Sequence, residues 1–365
     1  MSRRLLVLVA ALVIVAVALP ASIEHISAQV RPATPQPLKR SPALSRTSWG
    51  DPDLQGIWDT STNIPFERAA NLGDKSVLSD EEAAESRKQA SERAQAAAKR
   101  SPVDDPTQLN VVFQGSALHR EPSKRTSLVV DPPDGRIPPL TDQAKKRLAD
   151  RESARYGRGE ADSWEDRHIW ERCVTRTLPT AMLSIYDSNY LIAQTPQYVA
   201  ILMEMIHETR IIPLDGRPHL PSELHQWLGD SRGHWEGDTL VVDTTNFNDR
   251  LDGGLLMPSH LLSIYHHRGS GETLHLIERF TRVDAKTIDY KFTVDDPKTF
   301  TRPWTADVPM RNDGTPDQIY EYACHEGNMQ MLNLLQGARA NEQAALDAAR
   351  QEADDRIKAG HPGVR

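Results

Sequence analysis

Residues 190–310 read as a series of β-strands, and this run constrains the fold more than any other feature of the chain. The clearest segment is 233–247, where the turn Glu236-Gly237-Asp238 precedes the β-branched stretch Thr-Leu-Val-Val-Asp-Thr-Thr. Glycine gives such a turn the backbone freedom that a hairpin reversal needs. Since most connections are too short for crossover helices, the pattern predicts antiparallel pairing and argues against a doubly wound α/β fold. The alternation continues in segments 201–204, 210–214, 274–281 and 288–294.

An antiparallel meander of this length has to protect its two edge strands, because exposed edges pair with other chains. Closing into a barrel, or packing on a second sheet, is the usual solution. We therefore predict a mainly β fold, an antiparallel barrel or a strongly curved sheet, with helical decorations on its N-terminal side and one C-terminal helix.

Three helices are predicted around the strands. Ser79 with Glu82 three residues later forms a capping box, and the polar helix that follows runs to about residue 99. Thr141 precedes a second polar helix, which ends near residue 156. The third helix covers residues 329–356, and its apolar spacing predicts a buried face made of Leu332, Leu335, Ala338 and Ala345.

The N-terminus predicts export. Arg3 and Arg4 form a short positive region, an unbroken apolar run from Leu5 to Leu19 follows, and Ala28 is the expected cleavage point. This order is typical of a signal peptide over residues 1–28, and the apolar run is short for a membrane span. An uncleaved anchor is the alternative. We expect a periplasmic or secreted protein without stable membrane insertion after cleavage.

The mature chain is predicted to have four parts. Residues 29–46 are rich in Pro, Ser and basic side chains and are expected to form a disordered linker. Residues 47–172 would supply an N-terminal strand and a helical extension packing on the barrel. Residues 173–340 would form the β-rich core, and residues 341–365 a helical, fraying tail.

The two cysteines, Cys173 and Cys324, are predicted to form a disulfide, because an isolated pair in an oxidising compartment is usually oxidised. A catalytic thiol beside a histidine such as His325 is the alternative.

Charge and motifs restrict the partners. The formal net charge of −8 with 38% hydrophobic residues is typical of a soluble globular protein and does not suit nucleic acid as a partner. Dinucleotide, P-loop and zinc-binding patterns are absent from the sequence, so no cofactor and no metal is predicted. A small molecule is the expected partner, and nothing in the sequence indicates the oligomeric state.

Glu278 is the first candidate catalytic residue. It shares one face of a strand with Leu276 and Phe280, where an unpaired carboxylate is costly. Such a group serves either as a general acid or base, or as half of a structural ion pair with an arginine such as Arg210 or Arg302. Both interpretations stay open at this point.

Glu204 and His207 form a second candidate pair for acid–base chemistry, with a solvent-facing hairpin end as the alternative. Aromatic and imidazole side chains that could contact a ligand follow in the strand region. These candidate ligand-binding residues are Trp227, His234, Trp235 and Tyr290.

Several motifs together resemble a large family of exported, mostly uncharacterised bacterial proteins that are abundant in soil bacteria. The motifs are Thr126-Ser-Leu-Val-Val-Asp-Pro-Pro-Asp-Gly-Arg136, Ile212-Pro-Leu-Asp-Gly-Arg-Pro-His219, Trp227-Leu-Gly-Asp-Ser-Arg-Gly-His-Trp-Glu-Gly-Asp-Thr239 and Thr301-Arg-Pro-Trp304. The resemblance covers most of residues 49–340 and implies secretion and a β-rich fold. It implies no particular reaction.

A second resemblance is to the lipocalin-like barrels. It is carried by Gly56-Ile-Trp58, by the antiparallel meander and by the helix after the last strand. In those barrels the tryptophan closes one end. We therefore expect an exported protein that binds a small apolar or amphipathic molecule in a barrel pocket. The alternative is a non-redox enzyme, a hydrolase, lyase or isomerase, using carboxylate and histidine in that pocket.

Overall fold

A computed structural model describes most of the chain from Ser45 onward. The described residues are 45–98, 123–154, 157–159, 161–167, 169–183, 187–249, 271–312, 314, 318–326 and 329–358. The predicted signal peptide, 1–28, and nearly all of the predicted linker, 29–46, lie outside them. Among the described helices, none has the length and apolar character needed to span a bilayer.

Ten antiparallel strands form one sheet, which confirms the mainly β prediction. The sheet order is β5-β4-β3-β1-β10-β9-β8-β7-β6, and β2 also pairs with β10. The strands are β1 (Gly56–Asp59), β2 (Val129–Asp131), β3 (Asn189–Gln194), β4 (Tyr198–Met203), β5 (Thr209–Pro213), β6 (Asp230–Glu236), β7 (Thr239–Thr245), β8 (His275–Arg282), β9 (Thr287–Asp295) and β10 (Trp304–Arg311).

The N-terminal strand β1 lies inside the sheet rather than at its margin. It pairs with β3 over four residues, from Gly56↔Ile192 to Asp59↔Asn189, and with β10 through Asp59↔Arg311. Strand β1, from the N-terminal part of the chain, therefore connects strands β3 to β5 with strands β6 to β10 in the sheet.

The hairpin between β6 and β7 has the predicted turn. Glu236 pairs with Thr239, so Gly237 and Asp238 form a two-residue turn, and Gly237 has the positive φ of 62° that this turn type requires. Strand alternation then separates two faces. On β9, the inner face consists of Ile288, Tyr290, Phe292 and Val294, all fully buried.

Aromatic rings fill the inner face of the sheet. Phe280 stacks on Tyr290 with ring centroids 4.6 Å apart, and Tyr290 packs against Phe292 at 5.8 Å. Phe292 meets Trp304 edge to face at 5.7 Å, and Phe300 meets the same indole at 5.9 Å. These contacts are the favourable geometries of aromatic pairs, so this part of the interior is a packed core.

The two end strands, β5 and β6, approach each other through their side chains. A Cβ atom at Gly233 on β6 would lie 2.9 Å from Ile212 Cγ2 on β5, so glycine permits the close approach. Within the described residues no strand pairing joins β5 to β6, and the sheet is not closed by backbone hydrogen bonds.

The predicted helix starts are confirmed. Helix α1 (Asp80–Ala98) follows a capping box in which Ser79 Oγ accepts from the Glu82 amide at 3.2 Å and Glu82 Oε2 accepts from the Ser79 amide at 2.8 Å. Helix α2 (Asp142–Ala154) follows Thr141, whose Oγ1 accepts from the Ala144 amide at 3.1 Å. Short 3-10 turns lie at Ala70–Leu72, Trp164–Asp166, Thr180–Met182 and Met205–His207.

The predicted buried face of the C-terminal helix is wrong in part. Helix α3 (Gln330–Lys358) exposes 45% of Leu332, and Ala345 is also exposed. Leu335 and Ala338 are half-buried, as is Leu334. Arg339 donates to the backbone oxygens of Ala161 and Asp162, and every described residue of the helix from 339 to 358 is exposed, so its far end has no buried face.

The predicted disulfide is confirmed. Cys173 and Cys324 are bonded, with Cα atoms 5.8 Å apart and a sequence separation of 151. Both thiols are consumed in this bond, which excludes the catalytic-thiol alternative. The bond ties the segment before β3 to the segment after β10.

Candidate functional site

The most buried charged group on the inner face is Glu278, on β8. Its side chain is fully buried and pairs with Arg210 on β5 through two hydrogen bonds, at 3.0 Å to Oε1 and 2.6 Å to Oε2. Tyr290 donates its hydroxyl to the same carboxylate at 2.8 Å. Of the two arginines considered as ion-pair partners, Arg210 is the one that pairs with Glu278, and a catalytic role for Glu278 stays a prediction. The carboxylate thus has three donors, which compensate the loss of water that makes burial costly.

Arg210 connects this ion pair to the opposite end of the sheet. Its Nη2 donates to Ser231 Oγ on β6 at 3.1 Å, and Ser231 and Thr244 share a hydrogen bond of 3.0 Å. One guanidinium nitrogen, Nε, is buried and has no hydrogen-bond partner in the described part of the chain. Such an unsatisfied donor is rare in native proteins and is a reason to look for a ligand or water nearby.

A cleft of about 550 Å³ lies directly beside Arg210. One wall is the start of β5, and the other is the segment that leads into β6. The lining residues are Glu208, Thr209, Arg210, Ile211, His225, Gln226, Trp227, Leu228, Gly229, Asp230 and Ser231. The volume is in the usual range for small-molecule sites, and the lining combines apolar side chains with a few polar groups, as such sites do.

Glu208 gives the cleft a titratable carboxyl. Burial raises the pKa of this group above its ordinary value, although hydrogen bonds from Thr175 and from the Arg176 amide oppose the shift. Thr175 Oγ1 donates to Glu208 Oε2 at 2.7 Å. A carboxyl whose pKa is raised by burial in a cleft is a candidate general acid or base.

His225, on the facing wall, has one free ring nitrogen. Its Nδ1 lies 2.9 Å from the backbone oxygen of Phe247, which accepts a hydrogen bond from it. Nδ1 therefore carries a proton, and in the neutral ring Nε2 is an acceptor. Nε2 makes no hydrogen bond to any residue that the structure describes.

The predicted pair Glu204 and His207 lies outside this cleft. Glu204 is buried; its carboxylate accepts from the Asn189 side chain and, at 2.9 Å, from the Tyr320 amide. His207 lies 2.8 Å from the Tyr322 backbone oxygen through Nδ1. Both residues hold the segment between β10 and the disulfide against the sheet. Their proposed catalytic role stays a prediction.

The predicted ligand-binding residues are separated by the structure. Trp227 lines the cleft and is half-buried. Tyr290 is fully buried in the core, where it is bonded to Glu278. Trp235 is half-buried and packs against the core, while His234 is exposed and lies 3.2 Å from Glu236. Of these four residues, Trp227 alone borders the cleft.

Two cleft residues, Glu208 and His225, were not identified as candidates from the sequence. A signal for Glu208 existed, because side chains two apart on a strand share a face, and Glu208 therefore shares one with Arg210 and Ile212. His225 lies in the long connection between β5 and β6, for which no periodic pattern predicts an orientation. The described residues contain no group of three His, Cys, Asp or Glu side chains arranged to hold a metal ion.

Comparison with known proteins gives no relative for this chain. No family model, no curated protein and no solved structure matches it.

Proposed function

We propose that this chain is an exported protein that binds a small amphipathic molecule in the cleft between β5 and β6. The observation that carries the proposal is the combination of this cleft of about 550 Å³ with the buried Arg210 beside it, whose Nε has no partner among the described residues. Trp227, Leu228 and Ile211 offer apolar contact. Ser231, Gln226 and His225 offer hydrogen bonds to a polar end.

The fold supports a barrel-like architecture for this site. The side chains of the two end strands meet across the sheet through Arg210 and Ser231. At β1, the indole of Trp58 is 1% exposed and donates to the Leu54 backbone oxygen at 2.8 Å, while the guanidinium of Arg282 lies 5.5 Å from its ring centroid. A buried tryptophan at this strand agrees with the resemblance to the lipocalin-like barrels. The cleft is then the seam at which the curved sheet stays open.

The seam is a better place for a ligand than the interior face of β8, β9 and β10. Aromatic side chains pack that face in direct contact, so a ligand would have to displace them. Displacing a large buried side chain costs several kcal/mol. A ligand in the seam replaces water instead.

Titration with 11-(dansylamino)undecanoic acid, a fluorescent amphiphile, tests the proposal. We expect saturable binding to the full exported chain and about tenfold weaker binding after Trp227→Ala, because an aromatic contact of the apolar part is lost. Trp164→Ala is the matched control, since Trp164 is 51% exposed and lies outside the cleft. Equal affinity of the Trp227→Ala variant and the wild type would defeat the proposal.

A second candidate function is acid–base catalysis in the same cleft, and Glu208 is the observation that favours it. Glu208, whose carboxyl has a raised pKa, and His225, whose Nε2 makes no hydrogen bond to any described residue, both line the cleft. For a non-redox enzyme of this kind, Glu208→Gln and His225→Gln would each lower turnover of 4-nitrophenyl esters by about 10²-fold or more, with binding of the dansyl probe retained. Absence of ester turnover by the wild-type chain, together with intact probe binding, would favour the binding function.

A further inference from the structure

Strand β5 leaves part of its backbone unpaired along the edge that borders the cleft. The Met203 amide donates to the Glu208 backbone oxygen at 2.9 Å, and the Leu214 amide donates to the Gln197 backbone oxygen at 2.8 Å. Both pairs continue the register of the ladder between β4 and β5. Because hydrogen-bonded and non-hydrogen-bonded pairs alternate along such a ladder, only every second residue of β5 bonds to β4.

The backbone groups of Thr209 and Ile211 are the ones that do not bond to β4. Their N–H and C=O groups point away from β4, and no described residue of the chain bonds to them. Both residues line the cleft. The series ends at Pro213, which has no N–H to donate. The edge therefore offers two complete donor–acceptor sets two residues apart, a spacing that an extended peptide backbone matches.

The outward side chains of β5 do not protect this edge. Ile211 is 57% exposed, Thr209 is also exposed, and neither carries a charge. The other end strand, β6, has Arg232, His234 and Glu236 on its outer face. Charged and polar side chains in such positions are a usual defence of an edge strand. Of the two end strands, β5 is thus the one suited to receive a further strand.

Side chains close the seam beyond Ile211. A Cβ atom at Gly233 would lie 2.9 Å from Ile212 Cγ2 and 2.7 Å from Leu214 Cδ2, so β6 lies directly against this part of β5. A partner strand can therefore follow β5 only from Glu208 to Ile211. This short stretch suits a short free peptide, because a segment in the middle of a longer chain has to continue past both ends.

The charges that line the cleft favour a basic side chain in the ligand. Arg210 is paired with Glu278, and Asp230 is paired with Arg232. Glu208 accepts hydrogen bonds from a hydroxyl and a backbone amide, but it forms no ion pair with a lysine or arginine among the described residues. A cationic group of the ligand beside Glu208 would supply the complementary charge.

We propose that the cleft binds a short free peptide as an additional antiparallel strand on β5, paired to Thr209 and Ile211, with a basic side chain beside Glu208. This inference names the class of ligand for the cleft and therefore rests on the proposed function. Peptide residues opposite Thr209 and Ile211 turn their side chains to the outer face, where an apolar side chain covers Ile211. The residue between them turns inward, where Arg210 and Ser231 favour a short polar side chain.

Fluorescence anisotropy of the peptide Val-Thr-Val-Lys, labelled at its C-terminus with fluorescein and titrated with the full chain, tests the pairing. The two valines lie opposite Ile211 and Thr209, so their N–H groups face β5, while those of the threonine and lysine face away. N-methylation of the second valine should weaken binding at least about tenfold. N-methylation of the threonine is the matched control and should change the affinity by less than about twofold.

Ile211→Lys should also weaken peptide binding by about tenfold, because a charged side chain then lies under the apolar residue of the peptide. Val130→Lys is the matched control, since Val130 is 40% exposed on β2 and lies outside the cleft. Exchange of the peptide lysine for norleucine should weaken binding to the wild type and leave binding to Glu208→Gln unchanged. An equal effect of norleucine on both proteins would overturn the contact with Glu208.

Equal effects of the two N-methyl groups, or unaltered peptide binding by Ile211→Lys, would overturn the addition of a strand to β5. Binding of the dansyl probe without binding of the peptide would also overturn it and would leave the proposed function intact. Failure of both probes to bind would overturn the proposed function as well.

Discussion

At the scale of single residues, Glu278 shows how a carboxylate is accommodated inside an apolar sheet face. Its neighbours on β8 are core side chains, yet Arg210 on β5 supplies two donors. Five strands lie between β8 and β5 along the hydrogen-bonded path, and Arg210 reaches Glu278 across the seam instead. Tyr290 supplies a third. The pair therefore links the two ends of the sheet as well as neutralising a buried charge.

Replacing Glu278 by Gln should be strongly destabilising, because the substitution leaves Arg210 buried without its counter-charge. The expected loss in the free energy of unfolding is about 3 kcal/mol or more, measured by urea unfolding. Glu236→Gln is the matched control: its ion pair with Arg279 is about half exposed and screened by water, so its loss should destabilise the fold much less. Equal losses in the two variants would contradict a structural role for the buried pair.

Glu208 should make the stability of the folded chain depend on pH. Because burial raises its pKa, the folded chain binds a proton more tightly than the unfolded chain, so stability falls as pH rises from the ordinary carboxyl range into the raised one. Glu208→Gln keeps the acceptor for Thr175 and removes this loss. The variant should equal or exceed the wild type in stability at pH 8 and lose that advantage at pH 4. Urea unfolding at both values checks the sign, and a variant weaker than the wild type only at pH 8 would refute it.

At the scale of elements, the features that depend on neighbouring residues alone could be predicted from the sequence. The capping box at Ser79 and the two-residue turn at Gly237 depend on neighbouring residues, and both were predicted. The insertion of β1 between β3 and β10 was not, because it joins segments more than a hundred residues apart. The face of α3 was misassigned at Leu332 and Ala345 because apolar spacing alone does not say where a helix finds a partner.

The same limit applies to the candidate site. The pairing of Glu278 with an arginine followed from the cost of burying a charge, and Arg210 was one of the two partners considered. The cleft itself depends on how the two ends of the sheet meet, and no local pattern encodes that meeting. The folded structure places β5 beside residues 225–231, and only this arrangement shows that Glu208 and His225 line the same cleft.

The disulfide between Cys173 and Cys324 should contribute strongly to stability, since it closes a loop of 151 residues around the sheet. The loop-closure estimate for such a length is about 5 kcal/mol. The double variant Cys173→Ser/Cys324→Ser should lose a large part of this amount in urea unfolding and should no longer respond to reducing agent. A wild-type chain whose unfolding is the same with and without reducing agent would contradict this estimate.

At the scale of the whole molecule, one antiparallel sheet brings its two end strands, β5 and β6, together through side chains, and no backbone pairing joins them within the described residues. Edge strands that meet through their side chains leave less open edge for pairing with other chains. The remaining opening is the seam cleft, bordered by Arg210 on one side and Trp227 on the other. A longer groove of about 990 Å³ beside α3 and Cys324 is the competing location for a ligand.

Photo-crosslinking of the full chain with a diazirine-bearing undecanoic acid, followed by peptide mapping, tests the central claim most directly. We predict that the crosslinks map to residues 208–211 and 225–231, that excess undecanoic acid removes them, and that Trp227→Ala reduces them. Crosslinks that concentrate instead along residues 329–341 of the groove beside α3, or that spread over the surface and resist competition, would contradict a ligand site in the seam.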